Sequence, residues 1–267
     1  MQIKHKAPFA CGTTPLVERR GEAADMLMDF AIVRLAPGES YEDYSDTDER
    51  AYLLSGGSAR MTWLEETADI RRSSLFDEEP WTLLVPRKIK VAMTAGADGV
   101  EFYRMATENP IGYKARLFTP KDCRSEFRGE GTMQETSTRV VRTVFDDTNM
   151  SESRLVLGEV IGVPGKWSSY PPHHHPQPEI YHYRFLPSQG FGLTAIGDRP
   201  YILHDRDTIL IRDGEDHPQV TAPGYAMWYL WVIRHLEDDR YGTPEFTAAH
   251  SWVAKPDAPI WSPKKKK

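Results

Sequence analysis

The sequence predicts an all-β fold of the sandwich or barrel type. Twenty prolines and nineteen glycines interrupt the 267-residue chain so often that long helices have little room. Between them lie short runs rich in β-branched and aromatic residues, and many such runs at regular spacing are typical of β-sandwiches and barrels. With 40% apolar and 27% charged residues, the composition is that of a globular protein with a sizeable core.

Strands are predicted in both halves of the chain. In the first half they are Met26–Leu35, Arg50–Leu54, Ala59–Trp63, Trp81–Val85, Lys90–Thr94 and Val100–Arg104. In the second half they are Arg139–Phe145, Leu155–Ile161, Ile180–Phe185, Phe191–Ile196, Thr208–Ile211 and Met227–Ile233. The proline and glycine residues between these runs are the ones that commonly form turns.

A polar segment separates the two halves. Residues Lys121–Glu135 are charged, contain glycine and have few apolar side chains, which is typical of a linker. We therefore predict an N-terminal domain over 1–120, a linker over 121–137 and a C-terminal domain over 138–267.

The two halves share landmarks. Thr82, which begins the run Thr-Leu-Leu-Val, lies 45 residues after Pro37 of an Ala-Pro-Gly turn. Thr208, which begins the run Thr-Ile-Leu-Ile, lies 44 residues after Pro164 of a Val-Pro-Gly turn. This shared spacing is compatible with a duplicated β unit.

Net charge and hydropathy limit the classes of binding partner that we expect. The formal net charge of -6 argues against nucleic acid as the main partner. No long uncharged apolar run is present that could cross a membrane, and the first residues contain no apolar core of a signal peptide. Cys11 and Cys123 are too few for a disulfide framework. We expect a cytoplasmic protein that binds a small molecule, and the sequence leaves a homo-oligomer open.

Histidines concentrate in the second half of the chain. None occurs between Lys6 and Pro172, whereas six of the nine occur at His173, His174, His175, His182, His204 and His217. Metal chemistry, if present, is therefore expected in the second half only.

Four residues of this region are the predicted metal ligands. On an extended chain His173 and His175 point to the same side and His174 to the other, while Glu179 has the parity of His173. His217 follows a predicted strand and would be the fourth ligand. Three imidazoles and a carboxylate suit one divalent ion such as zinc, manganese, iron or nickel, with zinc and manganese the first candidates. The alternative is an exposed histidine patch that binds metal adventitiously.

These residues resemble a known family. The pattern His173-x-His175-x3-Glu179, followed by Gly214-x2-His217, resembles the two cupin motifs. The wider sequence resembles the 5-deoxy-glucuronate isomerase family of inositol catabolism, most specifically in Trp167-Ser168-Ser169-Tyr170-Pro171-Pro172-His173, Gln189-Gly190-Phe191 and Ala222-Pro223-Gly224-Tyr225. Weaker similarity extends to Glu49–Gly56 and Arg128-Gly129. The resemblance implies a bicupin, two jelly-roll barrels with one metal ion in the C-terminal barrel and none in the N-terminal one.

The resemblance also implies a reaction, the aldose–ketose isomerisation of 5-deoxy-D-glucuronate to 2-deoxy-5-keto-D-gluconate. A divalent ion suits this chemistry because it polarises the carbonyl and stabilises the enediolate. Glu179 and Tyr181 are the candidate catalytic residues, since both share the parity of the ligands. Gln189 is the candidate partner of a substrate hydroxyl and Arg184 of the carboxylate, with Lys166 and Arg212 as other nearby cations.

Three departures from the family pattern keep other functions open. Pro176 stands where the family usually has aspartate, Arg212 stands in the region of its usual proline, and Trp231 stands where it usually has asparagine. A sugar-acid-binding cupin without catalytic activity is one alternative. An iron-dependent cupin dioxygenase is the other, because three histidines and a glutamate can also hold iron.

Overall fold

Strands make up nearly all the regular structure of the computed structural model, which describes residues 1–212 and 214–263. Across these two ranges the helical segments are short 3-10 turns, at Gly21–Met26, Pro120–Asp122, Met133–Glu135 and Ser251–Ala254. The predicted all-β fold class is confirmed. No helix in this part of the chain is long and apolar enough to cross a membrane.

One large sheet is built from the first half of the chain. The first strand, β1 (Gln2–Ile3), joins the other large sheet. The strands of this sheet are β2 (Gly12–Val17), β3 (Asp29–Leu35), β4 (Ser40–Asp43), β5 (Asp48–Trp63), β6 (Glu66–Arg72), β7 (Thr82–Val85), β8 (Val91–Glu108) and β9 (Arg116–Phe118). The order is β2-β3-β8-β5-β7-β9, with β4 paired to β8 and β6 to β5. We call this unit the N-terminal barrel.

The second half forms the C-terminal barrel. Its strands are β10 (Arg124–Arg128), β11 (Arg139–Phe145), β12 (Leu155–Gly162), β13 (Trp167–Ser168), β14 (His173–His174), β15 (Glu179–Leu186), β16 (Phe191–Ile196), β17 (Arg199–His204), β18 (Thr208–Ile211), β19 (Gln219–Thr221), β20 (Ala226–Arg234) and β21 (Glu245–Phe246). A seven-stranded sheet has the order β1-β18-β15-β20-β12-β11-β10. A smaller sheet has the order β13-β19-β16-β17, and β14 pairs with β21.

The two large sheets repeat one strand order, which supports the duplicated β unit with which the spacing of the sequence landmarks is compatible. The N-terminal order β2-β3-β8-β5-β7-β9 corresponds to β11-β12-β20-β15-β18-β1. The register agrees as well, because Arg50 of β5 pairs with Val85 of β7 and Glu179 of β15 pairs with Ile211 of β18. Arg50 therefore occupies the position in the N-terminal barrel that Glu179 occupies in the C-terminal one.

All twelve predicted strands overlap observed ones, but two pairs of predicted strands are continuous. Arg50–Leu54 and Ala59–Trp63 both belong to β5, and Lys90–Thr94 and Val100–Arg104 both lie largely in β8. The intervening glycines produce bulges in β5 rather than turns. At Gly57, φ is +90° and a Cβ atom would lie 2.2 Å from the carbonyl oxygen of Gly99, so the two strands approach closely there.

Part of the predicted linker is an edge strand. Residues Arg124–Arg128 pair with β11 in continuous antiparallel register, from Arg124 opposite Thr143 to Arg128 opposite Arg139. All five residues are exposed, since β10 lies at the end of the sheet order. Charged side chains are common on such edges because they oppose pairing with another chain. The polar composition that suggested a linker is thus explained in part by this edge, and the domain boundaries stay a prediction.

Along the strands of the large sheets, alternate side chains pack into two different hydrophobic cores. In β15, one face points into the C-terminal barrel and carries Glu179, Tyr181 and Tyr183. The other face points towards the N-terminal barrel, where Ile180 joins a core that includes Phe30 and Ala51. The two barrels therefore share one apolar core between their large sheets, and each has a second core inside.

A buried ion cluster crosses this interface. The Glu159 carboxylate of β12 receives two hydrogen bonds from the Arg72 guanidinium of β6, at 2.6 and 2.8 Å. Arg142 of β11 lies 3.5 Å from the same carboxylate. The side chains of Arg72 and Glu159 are fully buried, and both arginines also donate to the backbone oxygen of Glu78. Paired geometry of this kind is needed to offset the cost of removing the charges from water.

His182 lies in the same interface and is expected to make stability depend on pH. Its ring packs against Phe30 and Tyr103, and its Nδ1 is 2.9 Å from the Thr208 hydroxyl. Burial holds the pKa of His182 well below its ordinary value, and the nearby cations of Arg184, Arg206 and His5 act in the same direction.

The direction of this pH effect follows from the number of protons that the unfolded and the folded chain bind. Below about pH 6.5 the unfolded chain protonates this histidine and the folded chain does not, so each pH unit lowers the free energy of unfolding by about 1.4 kcal/mol. The free energy of unfolding of the parent protein, measured with urea, should be lower at pH 5.0 than at pH 7.5. In His182→Phe we expect this decrease to be about 2 kcal/mol smaller. An unchanged difference would contradict this account of His182.

Candidate metal centre

Three of the predicted ligands converge in the C-terminal barrel. The candidate ligand atoms of His175, Glu179 and His217 all lie within 4.8 Å of one another, and all three residues are buried. The Glu179 Oε2 atom is 3.2 Å from His175 Nε2 and 3.4 Å from His217 Nε2. In residues 1–212 and 214–263 this is the one group of three such side chains that is close enough to hold an ion.

The hydrogen bonding of His217 fits a metal ion. His217 Nδ1 donates to the backbone oxygen of Glu215 at 2.8 Å, which leaves Nε2 with the lone pair, and Nε2 is buried without a hydrogen-bond partner. Such an outer hydrogen bond is the usual way in which a protein fixes the tautomer of a metal-binding histidine. His175 differs, because its Nε2 faces Glu179 and its Nδ1 is buried without a partner among the described residues.

The protonation state of His217 and His173 also suits metal binding. Burial lowers the pKa of His217 to about 4 and that of His173 to about 4. Both imidazoles are therefore neutral at pH 7, which is the form that binds a metal ion.

The other two histidines of the motif lie apart from this group. His173 is the nearer, since its ring is 4.8 Å from that of His217 and lines the same cavity, but its role as a ligand stays a prediction. His174 points away, as strand parity predicts, and its Nδ1 is 3.0 Å from Asp216 Oδ1.

His175 and Glu179 of this group line a cavity of about 360 Å³. Strands β11, β12, β15 and β20 supply about half of the cavity wall, and the polar side chains facing it include Arg128, Arg139, Ser168, Ser169, Tyr181 and Tyr229. Pockets of this size are typical of small-molecule sites. The cavity is thus suited to a ligand of the size of a sugar acid.

The C-terminal segment covers one side of this cavity. In the short pairing of β14 with β21, His173 lies opposite Phe246. Two hydrogen bonds hold Thr247 in place. Its backbone N–H donates to the backbone oxygen of Pro172, and its hydroxyl donates to the Asp216 carboxylate. Tyr241 packs edge-on against His175 at 4.9 Å between ring centroids. The segment therefore reduces access of water to the ligand group.

Trp231 forms much of another wall. It lies on β20 opposite Gly158 of β12 and Tyr181 of β15. A Cβ atom on Gly158 would come within 2.4 Å of the Trp231 ring, so the glycine makes room for the indole. Trp231 is one of the departures from the family pattern, and the structure places it in the cavity wall.

The four candidate catalytic and substrate-binding residues divide into two pairs. Glu179 and Tyr181 line the cavity, and the Tyr181 hydroxyl is 3.3 Å from that of Ser169. Gln189 lies in an exposed turn and does not line the cavity. Arg184 faces the other barrel, because it has the parity of His182, and it pairs with Asp205 and Glu101.

The other two cations suggested by the sequence for the substrate carboxylate, Lys166 and Arg212, do not line the cavity either. Lys166 donates to the backbone oxygen of Glu135, and Arg212 pairs with Asp25. The arginines that do line the cavity are Arg128 and Arg139, on β10 and β11. Parity could have suggested Arg139, because Arg139, Val141 and Thr143 alternate along a predicted strand, but only the pairing of β11 with β12 shows which face is inside.

Comparison with known proteins agrees with these features. The model of the KduI/IolB family matches residues 2–253. The chain belongs to the KduI/IolB family. It is 29% identical over 222 residues to a 5-deoxy-glucuronate isomerase of Geobacillus kaustophilus (strain HTA426), covering 76% of this chain and 78% of that protein. A Bacillus subtilis (strain 168) protein of the same name is 26% identical over 247 residues, covering 85% and 87%.

Solved structures confirm the fold. An IolB-like protein from Salmonella typhimurium LT2 superposes with a TM-score of 0.82 at 24% identity, covering 92% of this chain and 96% of that one. An oxalate decarboxylase from Lactobacillus farciminis superposes with a TM-score of 0.67 at 13% identity, covering 90% and 85%. The predicted bicupin architecture is confirmed by these likenesses.

Proposed function

We propose that this protein is a metal-dependent aldose–ketose isomerase that converts 5-deoxy-D-glucuronate to 2-deoxy-5-keto-D-gluconate in inositol catabolism. Its family and the shared name of its relatives support the isomerase class. The observation that carries the metal dependence is the convergence of His175, Glu179 and His217, two of which, His175 and Glu179, line the cavity. Two imidazoles and a carboxylate form a donor set that suits zinc or manganese.

The ligand residues would hold the ion, with His173 beside them. A bound divalent ion would supply Lewis-acid polarisation of the substrate carbonyl and its neighbouring hydroxyl. In the N-terminal barrel the corresponding position is Arg50, a fully buried cation 3.7 Å from Asp43. Its positive charge opposes a cation there, which supports one ion per chain.

The chain's own residues would orient the sugar and move its proton. Burial and the neighbouring Glu179 carboxylate raise the pKa of Tyr181 well above its ordinary value, so its hydroxyl keeps its proton and acts as a hydrogen-bond donor. The Ser168 and Tyr229 hydroxyls, 2.6 Å apart, offer a second polar pair on the cavity wall. Glu179 is the candidate base, and because it is also one of the ligand residues, its carboxylate would have to release the ion in order to accept the proton. Isomerisation then removes one carbon-bound proton and returns one to the former aldehyde carbon, with no external oxidant.

The proposal is tested by proton NMR of the metal-loaded protein with 5-deoxy-glucuronate in deuterium oxide. We expect the ketose to form with one deuterium at the carbon that receives the proton, because an enediol route passes the proton through a base that exchanges it with solvent during turnover. Glucuronate, which carries the additional hydroxyl, is the matched control and should turn over more slowly. Binding without turnover would instead indicate a sugar-acid-binding protein, and oxygen consumption a dioxygenase.

A further inference from the structure

Arg139 has an unusual environment in the cavity wall. It is half-buried at the start of β11, and among the described residues its guanidinium forms no ion pair. Its hydrogen bonds go to the backbone oxygen and the hydroxyl of Ser137, at 2.7 and 3.2 Å. A partly desolvated cation without a counter-ion is costly, so an anion from outside the chain would stabilise this position.

A second cation close to Arg139 adds to the stabilisation that a bound anion would give. Arg128 lies directly opposite Arg139 in the pairing of β10 with β11, and both arginines line the cavity. Like charges opposite each other on adjacent strands destabilise a sheet unless something neutralises them. Arg128 has Glu126 as a partner at 2.7 Å, which leaves Arg139 as the cation available to a ligand.

The acidic residues of the cavity do not supply the missing charge. Of the two that line it, Glu179 belongs to the metal-ligand group and Asp146 pairs with Arg124. In the sheet, β20 and β12 lie between the Glu179 strand and β11, so the ligand group and Arg139 occupy separate parts of the wall. Trp231 and Val160 provide apolar surface between them.

We infer that Arg139 binds the carboxylate of the substrate while the sugar's aldehyde end faces His175, Glu179 and His217. This inference rests on the proposed function and assigns acid selectivity to one residue. A guanidinium matches a carboxylate with two parallel hydrogen bonds, which a lysine cannot reproduce. The cavity would then prefer a sugar acid to the neutral sugar with a CH₂OH group in the same place.

The test compares Arg139→Gln with the parent protein on two substrates, 5-deoxy-glucuronate and the neutral aldose in which CH₂OH replaces the carboxylate. We expect KM for the acid to rise about 30-fold with kcat changed far less, as for the loss of a charged hydrogen bond. KM for the neutral aldose should stay within about twofold. Arg60→Gln, which removes an arginine paired with Asp69 on the surface, is the matched control.

A binding measurement separates this inference from the proposed function. The same acid with its aldehyde reduced to an alcohol cannot isomerise, and calorimetry gives its Kd directly. We expect Arg139→Gln to weaken its binding about 30-fold and Arg139→Lys to recover part of it. An equal loss for acid and neutral sugars, or an unchanged Kd for the reduced acid in both variants, would overturn the inference. Absence of turnover in the parent protein, with the Arg139 effect on Kd intact, would count against the proposed function alone.

Discussion

Replacing His175 with alanine is expected to remove the divalent ion and to lower kcat by a factor of about 10³ or more. The reason is that three ligands converge on one position, and loss of one imidazole leaves too few donors to hold the ion at ordinary concentrations. Stabilisation of charge that develops only during reaction is lost with it, so kcat falls far more than substrate affinity. Elemental analysis and NMR turnover on the same sample measure both effects. Glu179→Gln and His217→Ala should behave alike.

His174→Ala is the matched control for this prediction. His174 is adjacent in sequence, but its ring points to Asp216 and its side chain is 36% exposed. Metal content and kcat should therefore stay close to those of the parent protein. Equal loss in His174→Ala and His175→Ala would show that the histidine run acts as an unspecific patch.

Replacing Glu159 with glutamine is expected to lower the free energy of unfolding by about 3–5 kcal/mol. The substitution keeps the shape of the side chain but leaves Arg72 and Arg142 buried without their carboxylate. Because the cluster joins β6 to β11 and β12, the loss acts on the interface between the two barrels. Urea unfolding at pH 7.5 measures the change.

The control is Asp69→Asn, which breaks an ion pair between Arg60 and Asp69 whose side chains are 63% and 69% exposed. Exposed pairs contribute about 0–1 kcal/mol, so this variant should unfold almost as the parent does. A loss below about 1 kcal/mol in Glu159→Gln would contradict the assigned role of the buried cluster.

Strand periodicity made much of the fold predictable. Alternation along β15 places Glu179, Tyr181 and Tyr183 on one face, and the structure has them inside the barrel. The bounds of β11, β16 and β18 were predicted correctly, because these strands of four to seven residues carry apolar side chains and have turn residues at their ends. The short strands β14 and β21 have two residues each, too few for any periodic signal.

Side chains that depend on tertiary pairing were not predictable. Glu159 and Arg72 are 87 residues apart, and no local pattern marks them as partners. Arg184 was chosen for its closeness in sequence to the ligands, yet its parity is that of His182 and directs it to the other barrel. Arg139 became visible only when the register of β11 placed it in the cavity wall.

We propose that one ion held by the C-terminal barrel makes this protein an isomerase. The most direct measurement is a titration of chelator-stripped protein with zinc or manganese, in which turnover of 5-deoxy-glucuronate is recorded against bound metal. We predict no turnover in the stripped protein and a linear rise that ends at one ion per chain. Full turnover without metal, or a rise that ends only at two ions per chain, would contradict it.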